Sequence, residues 1–365
     1  MLNLEKLSLD ELKLKKRSLT DVKLPPSNAG SLSKPGPGRF RNNLLAWYDR
    51  DRRDLPWRAN RDPYRVWLSE IMLQQTRVAA VIDHYHAFLQ RFPTLEKLAA
   101  AREPSVLAVW SGLGYYRRAR MLHAAAKVIV RQHGGKFPTT AEGLRALPGI
   151  GRYTAAAIAS IAFDEPVAVV DGNVERVLQQ VSGNRLAGEQ LWAAANALLD
   201  RKRPGDFNQA MMELGAVVCR PRAPACLACP MIELCATRRA SAPTAKAAAQ
   251  KKREIHYMLD YRDAGGRFGE VFLVQRPREA SVMPSMWELP ELASMNGALS
   301  PSFTLRHSIT VTDYTVHVWQ MTVPAEVQGE WIPVARLTQV ALTGLAGKIL
   351  RKARIVLRHG RARLG

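Results

Sequence analysis

The spacing of apolar residues changes once along this chain. From Phe40 to Ala236 apolar side chains recur at three and four residues within Ala- and Leu-rich segments, and Gly or Pro marks the breaks. That is the period of helices packed on one face. Further on the period falls to two. Ile255, Tyr257, Leu259 and Tyr261 alternate with other residues, Ala264-Gly265-Gly266 turns the chain, and Val271 to Val274 follows. A second alternating run holds Leu305, His307, Ile309 and Val311, then Tyr314, Val316 and Val318. These runs predict a strand-rich carboxy-terminal domain with a helix near Leu345 to Leu357. No internal repeat of useful length is found.

Composition supplies the boundaries. Residues 1–38 carry Lys13, Lys15, Lys16 and Arg17, then Pro25, Pro26, Pro35, Gly36, Pro37 and Gly38. This reads as a basic, disordered arm, with Leu4, Leu7 and Leu12 as the alternative of a short helix. Ser241 to Lys252 has almost nothing to bury, so residues 237–253 are read as a linker. The predicted order is arm 1–38, helical domain 39–236, linker 237–253 and carboxy-terminal domain 254–365, in a chain of 365 residues long enough for two cores.

All four cysteines fall in one stretch: Cys219, Cys226, Cys229 and Cys235 are separated by six, two and five residues. Thiols so close suit an iron–sulfur cluster or a tetrahedral zinc, with two disulfides as the plainer alternative. Only Cys226 and Cys229 form a Cys-x-x-Cys pair, which puts zinc second. Cluster and zinc both require reduced thiols and hence a reducing compartment. Met1 to Arg17 alternates Leu with charged residues and lacks the apolar core of a signal peptide. No stretch is long and apolar enough to span a bilayer. Lys and Arg number 53 against 32 Asp and Glu, a net charge of +21, as suits a protein that displaces counterions from a polyanion; a merely soluble basic surface gives the same count.

Within the helical part, Thr139-Thr140-Ala141-Glu142 has the form of a capping box, starting a helix just before Leu144. Leu147-Pro148-Gly149-Ile150-Gly151 ends it, and another helix begins with Arg152-Tyr153-Thr154. The prolyl residue stops the first helix, and Gly149 and Gly151 allow a tight turn and close approach to a partner. The amides opening the second helix face an anion, with a phosphate the obvious candidate. An ordinary turn between packed helices is the alternative.

The hairpin followed by the four thiols resembles the endonuclease III superfamily of base-excision glycosylases. Leu55-Pro56-Trp57-Arg58, Trp67 to Thr76, Gly112-Leu113-Gly114-Tyr115-Tyr116 and Asp171-Gly172-Asn173-Val174 narrow the resemblance to the adenine DNA glycosylase family, closely over residues 39–236 and more loosely beyond. The resemblance implies a mainly α helix-hairpin-helix glycosylase domain with an iron–sulfur cluster loop, plus an α+β Nudix-like carboxy-terminal domain. It implies a [4Fe–4S] cluster on the four cysteines and double-stranded DNA holding A:8-oxoG or A:G mispairs as partner. It further implies a monomer off the membrane, in a bacterial cytoplasm at the nucleoid, or in a eukaryotic nucleus or mitochondrion.

Excising a purine requires a proton for the departing base and an anion beside the oxocarbenium-like sugar, hence two carboxyls of different pKa. By resemblance these are Glu70, whose helical neighbours Val66, Trp67 and Leu73 favour the neutral acid, and Asp171, at a helix start that favours a negative charge. A partly buried Glu paired to an Arg, and a plain helix cap, are their bland alternatives. Asn173 is the implied supporting donor. Lyase-coupled relatives carry a Schiff-base Lys where this chain has Tyr153, so a monofunctional enzyme is expected, with Tyr153 hydrogen-bonded in the site. A bifunctional glycosylase/lyase and a non-catalytic DNA-binding iron–sulfur protein are the other readings. Gln75, Leu113 and Tyr115 match the family's wedge and duplex-probing residues, the glycines about Leu113 being expected to expose it. Arg58, beside Trp57, matches a donor in the adenine pocket. Gln275-Arg276-Pro277 and Met286 to Pro290 resemble the Nudix-like domain, yet no two Glu are adjacent beyond residue 253, which implies recognition without hydrolysis. Where the family has Phe-Ser-His, this chain has Ile309-Thr310-Val311; Thr310 keeps the hydroxyl and the histidine is lost.

Overall fold

Eleven helices, α1 to α11, build the first two thirds of the described chain. They are α1 Pro37–Asp51, α2 Pro63–Leu73, α3 Val78–Arg91, α4 Leu95–Ala99, α5 Glu103–Val109, α6 Arg117–His133, α7 Ala141–Arg145, α8 Arg152–Phe163, α9 Gly172–Ser182, α10 Glu189–Leu198 and α11 Pro204–Glu213. Most stop within a few residues of a Gly or Pro, but α2 stops at Gln74 and α11 runs on into a π-helical turn, Leu214–Val218. The computed structural model describes residues 36–238, 251–262, 269–293, 300–309 and 312–355. The chain divides into two units, Met1–Gly36 and Pro37–Gly365. The predicted arm lies outside the described residues as far as Pro35, while Pro37 and Gly38 already belong to α1.

Helix α8 is the axis of the helical part. Ala155, Ala156, Ala157, Ile158 and Ala159 on it are all buried, and α2, α7 and α11 pack against it. Small side chains let the neighbouring backbones come close. At the α11 contact even a methyl group is too much: a Cβ on Gly205 would lie 2.5 Å from the Ser160 carbonyl oxygen. Trp67, Trp110, Tyr48, Tyr85, Phe88 and Phe207 fill the space further out and are fully buried. The predicted capping box is displaced by one residue: Thr140, not Thr139, caps α7, accepting from Gly143 N. Glu142 does not return the bond; Glu165 reaches across instead to accept from Ala141 N at 2.6 Å.

The second part is strand-rich, as the period of two predicts. β1 Lys251–Leu259 pairs in parallel with β6 Thr312–Gln320, which pairs antiparallel with β5 Phe303–Ile309. A second sheet joins β2 Tyr261–Arg262, β3 Glu270–Gln275, β4 Trp287–Glu288 and β7 Glu330–Pro333. Helix α12, Gly344–Lys352, lays Leu345, Ala346, Ile349 and Leu350 into the core the strands share. Two expectations need correcting. The predicted linker ends too late, because Lys251 to Arg253 already pair with Thr312 to Tyr314. Nor does β1 alternate: Tyr257, Met258 and Leu259 are buried in succession, since the strand passes under other chain on both faces there.

The two parts share contacts. Met286 of the strand-rich part is buried in the helical core. Tyr116 donates from its hydroxyl to the Leu342 carbonyl at 2.9 Å, and Arg120 donates to the Pro284 carbonyl at 2.7 Å. Among the described residues no helix is long and apolar enough to cross a membrane.

Candidate active site

Four helix ends meet around Glu70. Asp62 starts α2 by accepting from the amides of Tyr64 and Arg65, and two turns later the helix carries Glu70 inward, with apolar side chains on either side. Tyr153 enters from the first turn of α8, Asp171 from the cap of α9, and Met212 and Glu213 from the end of α11. The Tyr153 hydroxyl donates to Glu70 Oε2 at 2.8 Å and also lies 3.1 Å from Met212 Sδ.

Glu70 is 7% exposed. Burial pushes its carboxyl up to about 7; the Tyr153 bond opposes this, Asp171 adds repulsion, and Arg58 opposes it again. The Tyr153 phenol is driven well above its usual range by burial and by the same two carboxylates. Glu70 and Asp171, far apart in sequence, thus act on each other and on one tyrosine. Asp171 accepts from the amides of Asn173 and Val174 at 3.0 and 2.8 Å and from Asn173 Nδ2 at 2.9 Å. The positive end of a helix and three donors suit it to hold a negative charge. Capping and site membership coincide at this residue.

Arg58 and Trp57 occupy a short turn before α2. Trp57 is buried, its ring edge-on to Tyr85 at 5.5 Å. Arg58 pairs with Glu213 at 2.9 Å and donates to the Arg53 carbonyl, leaving its buried Nε without a partner. Arg53 grips the same carboxylate at 2.6 and 2.8 Å. Burial pushes Glu213 up, but hydrogen bonds from Arg53 and Arg58 outweigh it and hold the carboxyl at about 2. Glu213 and Arg53 escaped the reading of the sequence, although one acid inside Met211-Met212-Glu213-Leu214-Gly215 is a readable signal. Arg176 is a further omission: it donates to Asn173 Oδ1 at 2.8 Å and to the Cys219 carbonyl at 2.7 Å, joining the site to the cysteine loop.

A cleft beside the site is bordered by Gln75, Tyr115 and Gly149. Gln75 is exposed, and so is Tyr115 at 49%. Leu113 is not: it is 6% exposed and packs into the helical core, because its amide bonds the Trp110 carbonyl and closes the turn inward. The glycines around it expose Tyr115 instead. Thr310 lies outside the described residues. Gly149 takes φ +73°, and a Cβ there would fall 2.4 Å from Met121 Cβ, while Gly151 caps α8. Gly149→Ala is expected to destabilise the protein by about 2 kcal/mol or more, from left-handed strain and the methyl clash together, read as a lowered thermal midpoint.

The four cysteines are free and line one cavity with Arg176 and Arg220. Burial pushes the Cys219 thiol up to about 11; Arg176 opposes this, and the other three thiols add to it, so all four lie within electrostatic reach of one another. Among the described residues no group of three or more His, Cys, Asp or Glu is spaced for a single metal ion.

The profile of the HhH-GPD superfamily base excision DNA repair protein matches residues 68–193, which hold the hairpin and both carboxyls. The chain is 53% identical over 211 residues to an adenine DNA glycosylase of Mus musculus, covering 54% of this chain and 41% of that one. To an adenine DNA glycosylase of Arabidopsis thaliana it is 41% identical over 323 residues, covering 75% and 50%. The chain thus spans half or less of the length of these curated relatives. A solved thermostable thymine-DNA glycosylase superposes with a TM-score of 0.52 at 32% identity, covering 55% of this chain and 95% of that one. With a site and a hairpin so placed, residues 68–193 match the HhH-GPD superfamily of base excision DNA repair proteins, and the chain around them is similar to adenine DNA glycosylases.

Proposed function

We propose that this protein is a monofunctional DNA glycosylase that extrudes adenine from a mispair with 8-oxoguanine or guanine in duplex DNA and hydrolyses its glycosidic bond. The observation that carries the reading is the shared neighbourhood of Glu70 and Asp171, one keeping its proton up to about pH 7 and the other capped by three donors. Glu70 gives its proton to a ring nitrogen of adenine, and the glycosidic electron pair leaves with the base. Asp171, steadied by Asn173, faces the positive sugar carbon. Glu70, now a carboxylate, takes a proton from the water that adds to that carbon, leaving an abasic site and free adenine. Tyr153 keeps Glu70 aimed. Arg58, with its unpartnered Nε, and Trp57 receive the base, since a buried donor without an acceptor is a place for a ligand's acceptor.

Gln75, Leu113 and Tyr115 probe the duplex, and Leu113 must move out of the core to act as the wedge. Gly149 and Gly151 bring the hairpin backbone to a phosphate. Cys219, Cys226, Cys229 and Cys235 hold a [4Fe–4S] cluster; free thiols around one cavity fit it, and the cluster pins the loop between them. The strand-rich part, read as a Nudix-like domain that does not hydrolyse, faces the base opposite adenine, with Thr310 as a contact. The protein works as a monomer in the compartment that holds the DNA.

Purified protein, showing visible absorption from iron, is expected to release free adenine from A:8-oxoG and A:G duplexes. Borohydride is expected to trap no covalent protein–DNA adduct, because residue 153 is a tyrosine without an amine. A trapped adduct, or no adenine from either duplex, overturns the proposal.

A further inference from the structure

We infer that Arg118 is a positioning residue that locks the two turns bordering the cleft into one rigid fork for entry into a base stack. The inference rests on the glycosylase reading in taking duplex DNA as partner. Each turn presents an exposed side chain on a left-handed backbone: Gln75, after α2, at φ 55°, and Tyr115, before α6, at φ 48°. Neither is a glycine, so each conformation is strained and persists only where its surroundings impose it.

One guanidinium makes that imposition on both turns. Arg118 Nη1 donates to the carbonyls of Ile71, Met72 and Gln74 at 2.8, 2.9 and 2.6 Å. Its Nη2 donates to Thr76 Oγ1 at 3.1 Å and to the carbonyls of Leu113 and Gly114 at 3.2 and 3.3 Å. The residues flanking Gln75 are thus held by one nitrogen or the other, and the residues preceding Tyr115 by the second. The cation also sits 5.4 Å from the centroid of the Trp110 ring and 5.4 Å from that of Tyr115. Burial lowers its pKa to about 10, leaving it charged at neutral pH. Its hydrogen bonds run to backbone carbonyls and one hydroxyl, so its contacts define the shape of the chain around it. Gln75 and Tyr115 cannot part without breaking these bonds, and a fork of fixed gap meets a stack of fixed spacing with little left to order. A lysine places a point charge there and cannot bridge both turns.

The test uses the full chain and two readouts. The first is the fluorescence rise of 2-aminopurine placed beside the mispair, which reports unstacking without any bond cleavage. The second is adenine release from a mispaired duplex and from a duplex whose adenine faces an abasic gap and is already unpaired. Arg118→Lys is expected to slow the fluorescence rise and mispair excision by about 10- to 100-fold, the cost of a misplacement near 1 Å, and to spare the unpaired adenine. Thr76→Val, which removes one acceptor, should shift the same readouts in the same direction by less, and it carries the test if the lysine variant does not fold. Equal losses on both substrates, or no fluorescence rise with the unaltered protein, overturn the inference. A rise that the lysine or valine change slows, with no adenine released from any duplex, upholds the fork and overturns the adenine reading instead.

Discussion

Glu70→Gln is expected to cut adenine release by about 10²- to 10⁴-fold, the usual worth of a positioned proton donor, while the fold becomes more stable at neutral pH. The sign follows from the raised carboxyl. In the unfolded chain it titrates near 4.5, and in the native protein near 7. The native state therefore holds its proton more tightly than the unfolded chain does. The stability this supplies is complete below about pH 4.5 and is lost as pH rises to about 7, a fall of roughly 3 kcal/mol at 1.36 kcal/mol per pH unit. Glutamine still accepts from Tyr153 and carries no charge, so urea midpoints measured from pH 4.5 to 8 should fall for the parent protein relative to the variant. Excision by the parent should decline above pH 7 as the proton is lost. A rate that is flat from pH 7 to 9, or undiminished in the variant, removes Glu70 from its role.

Glu213→Leu should cost about 3–5 kcal/mol, because it removes the paired carboxylate from the buried Arg58 guanidinium. The Glu213 side chain is 1% exposed and Arg58 12%, so water cannot replace the lost partner of Arg58. Arg53, at 37%, recovers solvent more easily. Adding Arg58→Met to the leucine variant should restore part of the loss, which separates the stranded charge from a mere packing defect. Acid acts in the same direction as the mutation: Glu213, held at about 2, stabilises the fold above pH 4.5 and ceases to as pH falls through 2. A midpoint shift under 1 kcal/mol would show that Arg58 finds another partner.

Periodicity made the two halves legible, because burial on one face writes a period of three to four for helices and of two for strands. Glu70, Tyr153 and Asp171 were legible through their segments, each lying beside a helix break or an apolar run. The rest depends on distances that no segment states. Leu113 reads as a tip because glycines flank it, yet the turn folds it inward and leaves Tyr115 outside. Arg118 follows Arg117 and precedes Arg120 and looks like surface charge; only the return of the chain from Gln74 to Gly114 gives it a purpose. Glu213 needed two arginines some 155 and 160 positions away to explain an acid among apolar residues.

The burial of Met286 beneath the helices sets a limit on how this protein is divided. Severing the chain between Arg238 and Lys251 does not release a finished helical module. It leaves a methionine-sized dent in the helical surface and unseats the hydroxyl of Tyr116 from its carbonyl, next door to the turn that displays Tyr115. Shortened versions lacking the strands therefore begin with a hole and a loosened fingertip, and a weak grip on DNA by such a fragment reflects the cut as much as the missing half.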